Sequence, residues 1–100
     1  MTVSDNVFVS EQIKHPKWVI NRFRKGKIIP GIYVIRLGYP PDSLEIILAD
    51  YFKQKALADD DRPIVAFAKD HEDAVRYVVD ITEKSLDRFG FPDIRRYLNA

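Results

Sequence analysis

The residues of this chain best equipped for chemistry are cations set around one indole. Lys17, Arg22, Arg24, Lys25 and Lys27 share a short segment with Trp18, the only tryptophan. Helical winding of about 100° per residue puts Val19, Ile20 and Phe23 on one side, with Lys17, Asn21, Arg24 and Lys25 opposite and Arg22 on the shoulder. Trp18 falls on the charged side, four residues before Arg22, within reach of a cation–π contact. Aromatic rings that stack on bases and cations that neutralise phosphates are the ingredients of a nucleic-acid surface. An ordinary structural account competes with this one and takes precedence on the sequence alone. Cations suit the C-terminal end of any helix, and Trp18 can be covered by the Val7-Phe8-Val9 run. Trp18 and Phe23 stand about 140° apart, so they do not form one stacking platform. The sequence pI, about 8.0, also lies below the values above about 9 typical of dedicated nucleic-acid modules.

A second constellation sits where strands hand over to helices. Open parallel sheets bind ligands outside the carboxyl ends of their strands. Here that edge would bring together Tyr39 and Asp42 from one turn and Lys69, Asp70 and His71 from another. Two helix N-termini pointing into one crevice would favour an anion. Asp42 and Asp70, however, would occupy those N–H groups themselves as N-caps. The Gly38-Tyr39-Pro40-Pro41 turn is also no glycine-rich phosphate loop.

Metal and acid–base chemistry have weaker material. Asp70, His71, Glu72 and Asp73 are contiguous, whereas metal ligands normally come from separated elements, and acids in a first helical turn are ordinary helix chemistry. His15 and His71 are the only histidines, and no serine stands in a nucleophile context beside either. Asp59-Asp60-Asp61 lacks the spacing and turn glycine of a calcium loop and reads as solvated loop charge. No catalytic residue, metal site or cofactor is assigned. Tyr33, Tyr39, Phe52, Tyr77 and Phe91 exceed what the apolar stripes need. If exposed together they would make an interface, although a wide buried face could absorb Phe52 and Tyr77.

The elements that must position these groups follow from periodicity. Met1 to Lys14 is either a flexible tail or an edge strand supplied by Val7 to Ser10. A helix is predicted from Pro16, whose missing N–H is harmless at a helix start, to Lys25, with Gly26 ending it. Gly31 to Leu37 is a strand whose nearly continuous apolar run suits cover on both faces. Asp42, with Glu45 three residues on, then opens a second helix striped by Leu44, Ile47, Leu48 and Tyr51. Pro63 to Ala68 is a second buried strand. Asp70 caps a long helix striped by Val75, Val78, Val79, Thr82, Leu86 and Phe89, closed by Gly90 and Pro92. A last helical turn spans Asp93 to Leu98, with Ile94, Tyr97 and Leu98 packing back.

This pattern predicts a single α/β domain over residues 1–100 with a βαβ core. It has two or three mainly parallel strands, an N-terminal helix and a long C-terminal amphipathic helix. Two strands make a marginal sheet, so either the N-terminal segment or a second copy of the chain should complete it. The charge is polarised: residues 12–41 carry seven bases and no acid, and residues 42–100 carry thirteen acids against nine bases. With no cysteine, no apolar span of bilayer length and no signal-type start, the reading is a soluble, cytoplasmic, non-membrane protein. The expected function is that of a small non-enzymatic interaction or accessory protein, self-associating or engaging another protein. A nucleic-acid-binding protein using the basic helix is the alternative, and a ligand-binding or enzymatic crevice at the strand ends comes third.

Overall fold

The computed structural model describes residues 1–38, 43–91 and 93–98. Its centre is the Pro63–Ala68 strand, β4, in which Ile64 to Ala68 are all buried. A continuous apolar run needs cover on both faces, and β4 has it because it is an inner strand of a four-stranded sheet ordered β1-β4-β2-β3. The other strands are β1 (Thr2–Val9), β2 (Tyr33–Leu37) and β3 (Leu44–Leu48). The N-terminal segment is therefore an edge strand, longer than Val7 to Ser10, and it runs parallel to β4.

Two expectations fail together between residues 37 and 63. Leu44 to Leu48 is a strand and not a helix. It pairs antiparallel with β2 in a register that sets Val34 against Ile47, Ile35 against Ile46 and Arg36 against Glu45. The Gly38 N–H donates to the Ser43 carbonyl at 3.0 Å, closing the connection between the two strands. The Leu44, Ile47, Leu48, Tyr51 spacing fits a helix, but a five-residue strand followed by a 3₁₀ turn (Ala49–Lys53) satisfies it equally. Cross-strand pairing with β2 decides the outcome, and Glu45 faces a strand partner where a helical capping box was expected. Asp42, the expected cap, lies outside the described residues. With no crossover helix directly after β2, β2 and β4 are antiparallel neighbours. The sheet is thus mixed, with four strands, where two or three mainly parallel strands were expected. The thin sheet that argued for completion by a second copy is completed by β1.

Helices cover both faces. On one side α1 (Pro16–Arg24) buries Val19 and Phe23 against Ile64 and Phe67, the two phenyl rings lying 4.6 Å apart between centroids. The 3₁₀ turn and the short α2 (Lys55–Ala58) share that layer through Ala49, Phe52 and Leu57. Phe52 is therefore core. On the other side lie α3 (His71–Phe89) and α4 (Ile94–Leu98), over Ile35, Leu37, Val65 and Ala66. Ile94 and Leu98 are buried and Tyr97 partly so, as their spacing predicts. The Cα radius of gyration, 12.8 Å, matches the roughly 13 Å expected of a packed domain of this length.

The face that α3 buries differs from the expected stripe. Its buried residues are Asp73, Ala74, Ile81 and Ser85, with Tyr77 and Val78 partly buried. Val75, Val79 and Leu86 are 40%, 48% and 45% exposed. Small residues are what a helix needs to lie close to a sheet, so Ala74 and Ser85 mark the contact line and the larger residues beside them are left out.

Candidate nucleic-acid interface

The first turn of α1 has Pro16 in place and no acid, and its last turn carries Arg22 and Arg24, favoured there by the helix dipole. Gly26, at φ +74°, turns the chain out of the helix. With Val19 and Phe23 locked into the core, the opposite face is fixed towards solvent: Lys17, Trp18, Asn21, Arg24 and Lys25 are all exposed. Trp18 is 54% exposed, so the Val7-Phe8-Val9 segment does not cover it. The Arg22 guanidinium sits 5.5 Å from the centroid of the indole, the contact their spacing predicts. Arg24 donates from Nη2 to the Ser4 carbonyl of β1 at 3.3 Å, which tethers the helix to the sheet edge. Among the described residues, none of Lys17, Arg22, Arg24, Lys25 and Lys27 forms an ion pair with a carboxylate. This face is an uncompensated cationic surface with an indole in it.

The strand-end constellation is not assembled. Because β2 and β4 are antiparallel, Leu37 at the end of β2 and Ala68 at the end of β4 lie at opposite ends of the sheet. Tyr39 and Asp42 lie outside the described residues. Lys69, Asp70 and His71 stay together at the start of α3, but the polar groups there are already engaged. Asp70 caps the helix by accepting from the Asp73 N–H at 2.8 Å. Asp73, with its side chain only 1% exposed, accepts from the Lys69 N–H at 3.0 Å, from Gln12 Nε2 at 3.3 Å and from Arg76 Nη2 at 3.0 Å. Burial pushes its carboxyl up, but the Ser10 hydroxyl, the Lys69 N–H and Arg76 outweigh burial and hold it below the ordinary carboxylate range. His71 packs edge-on against Tyr33, ring centroids 5.6 Å apart. An anion arriving here would have to displace the protein's own carboxylates.

A third polar group was invisible from sequence spacing. Arg36 in β2, Glu45 in β3, and Asp60 and Arg62 from the loop before β4 close a ring of alternating charge. Arg36 Nε reaches Glu45 at 3.1 Å and its Nη1 reaches Asp60 at 3.5 Å. Arg62 contacts Glu45 at 3.1 Å and Asp60 at 2.7 Å. Asp60 is thus a structural ligand of two guanidiniums and not merely solvated loop charge. The Arg62 hydrogen bonds, with Arg36 beside them, hold its carboxyl far below the usual range. The Arg36 side chain is only 4% exposed and lies near Phe52, 6.0 Å from its centroid, so the ring clamps the end of the sheet from a buried guanidinium, with Glu45 on its solvent side.

Among the described residues no group of three His, Cys, Asp or Glu side chains converges to hold a metal ion, and no helix is long and apolar enough to cross a membrane. No family model, curated protein or solved structure matches the chain.

Proposed function

We propose that this chain is a small non-enzymatic interaction protein whose working surface is the cationic face of α1, and that its ligand is single-stranded nucleic acid. The observation that carries this is Trp18, 54% exposed on a helix whose cations find no carboxylate partner among the described residues. An exposed indole costs solubility and contributes little to a fold, while a π-face beside cations suits an unstacked base on a phosphate chain. Duplex DNA is the poorer fit, because its bases are already stacked and give one indole nothing to cover. The modest overall pI does not oppose this reading. Exposed charges are screened over about 10 Å at 0.1 M salt, so a ligand feels the local surface and not the acidic body. A reducing, cytoplasmic setting agrees with the lack of cysteine.

The single tryptophan makes the test direct. Titration with an oligothymidylate of about 15 nucleotides should quench Trp18 fluorescence. Log affinity should fall with log salt at a slope of about −0.7 per phosphate neutralised. Trp18→Ala should weaken binding by about 1–3 kcal/mol, the usual worth of one stacked base. Arg24→Glu combined with Lys25→Glu should abolish binding. A spectrum unmoved at 50 mM salt, or binding indifferent to the double charge reversal, would refute the proposal.

A further inference from the structure

Independently of the ligand at α1, we infer that α3 is the self-association surface of this protein, pairing antiparallel with α3 of a second copy. Val75, Val79, Thr82 and Leu86 recur at alternating spacings of four and three, the pattern of a two-helix seam. Three of them are about half exposed, and Thr82 is partly buried at the edge of the sheet contact. Val75 and Val79 line a shallow depression on the helix, bordered by Glu72, Arg76, Asp80 and Glu83, and Thr82 and Leu86 continue the stripe beyond it. Among the described residues nothing else covers it.

Charge selects the occupant and its direction. In an antiparallel pair about a two-fold axis between residues 80 and 81, Val79 meets Thr82 of the other copy and Val75 meets Leu86. The same axis brings Arg76 opposite Glu83, and by symmetry Glu83 opposite Arg76, so one flank closes with two pairs of opposite charge. A parallel pair would set Arg76 against His71 and Glu83 against Val78, with no compensation for either. Arg76 is free to reach across: one nitrogen holds Asp73, yet the side chain is 59% exposed. Glu83 is exposed and takes part in none of the ion pairs among the described residues. Because α1 and α3 cover opposite faces of the sheet, the dimer would carry its two α1 faces outward, both accessible.

One helix pair is a small interface, so the expected dimer is weak, with a dissociation constant on the order of 10–100 μM. Sedimentation equilibrium of the full chain from about 1 to 500 μM should show monomer passing to dimer, a range chosen to bracket that weak-interface affinity. Val79→Glu should raise the dissociation constant at least tenfold while circular dichroism and thermal midpoint stay as in the parent, since the site is solvent-facing in the monomer. Glu83→Arg alone should weaken the dimer several-fold, and adding Arg76→Glu should restore it, provided the doubly substituted chain melts near the parent. A monomer at 500 μM overturns the inference. So does a dimer that tolerates Val79→Glu, or a folded double variant no tighter than Glu83→Arg. Neither result bears on oligonucleotide binding, which Trp18 reports separately.

Discussion

Asp73 is the residue whose removal should cost the fold most for the fewest atoms lost. Its carboxylate joins three segments: Ser10 and Gln12 after β1, Lys69 after β4, and the first turns of α3. In Asp73→Ala the buried Ser10 hydroxyl and the Lys69 N–H lose an ionised acceptor. Hydrogen bonds to charged groups contribute about 1.5–3 kcal/mol each. The Arg76 contact, on a side chain more than half exposed, adds at most a few tenths. Taking the two better-sheltered bonds at the lower end gives a loss of about 3 kcal/mol, or roughly 12–24 °C in thermal midpoint for a domain of this size. Asp73→Asn keeps one acceptor oxygen and should lose about half as much. Urea unfolding followed by far-ultraviolet circular dichroism measures both, and the slope m should not change. The acid limb supplies a second check. The folded-state pKa of Asp73 is lowered, so the unfolded chain takes up the proton first. Its stabilisation is complete above the unfolded value and declines as pH falls below about 5, so the gap between parent and Asp73→Asn should narrow towards pH 3. A loss under 1 kcal/mol for Asp73→Ala, or a gap that is independent of pH, would refute the role assigned to this carboxylate.

Three further expectations can be read from the same unfolding curves. Arg36→Met should destabilise by about 2 kcal/mol, less than the 3–5 kcal/mol for stripping a lone buried charge, because Arg62 still holds both Glu45 and Asp60; no loss would mean the ring is dispensable. Asp60→Asn should flatten the acid limb, since the folded-state pKa of Asp60 is also lowered and its contribution disappears as pH falls below about 5. The two Gly→Ala changes separate two causes. At Gly90 a methyl would meet open space, so only the left-handed backbone (φ +77°) is strained, at about 1–2 kcal/mol. At Gly38 the new Cβ would lie 2.8 Å from Ser43 Oγ and 3.0 Å from Glu45 Cγ, so the cost is crowding, about 1–3 kcal/mol.

What could be read without coordinates was local. Proline at a helix start, the Asp70 cap, the glycines that end α1 and α3, and the unbroken apolar run of β4 each act within a few residues, and all appear as expected. What could not be read was pairing. Leu44 to Leu48 satisfies helix and strand spacings alike, and only its registration against β2 resolves them. That one ambiguity reversed the relative direction of β2 and β4 and with it dispersed the strand-end crevice. The ring of Arg36, Glu45, Asp60 and Arg62 was hidden for the same reason: its members are up to 26 positions apart and meet only through the pairing of β2 with both β3 and β4. The one available signal was an arginine inside an apolar strand run, which demands a counter-charge somewhere.

The misread face of α3 has a different cause, and it ties sequence to function. Hydrophobic periodicity reports which residues avoid water, not what shields them. From Tyr77 round to Val79 the apolar arc of α3 spans about 200°. A helix lying on a sheet buries far less than its whole circumference, and here Ala74, Ile81 and Ser85 mark the centre of the buried strip. The remainder of the arc is a second apolar stripe, regular enough in phase to be mistaken for the first. Chance surface apolar residues are scattered, whereas Val75, Val79 and Leu86 hold a seven-residue phase on the 19-residue helix, with charges of opposite sign on one flank. Had the sheet been two strands wide, a second copy would have been needed to finish the core. Since β1 finishes it, self-association is not required for folding, so a variant such as Val79→Glu should leave a folded monomer. The dimer and the fold can then be perturbed independently, which lets the oligomer be tested for function without unfolding the protein.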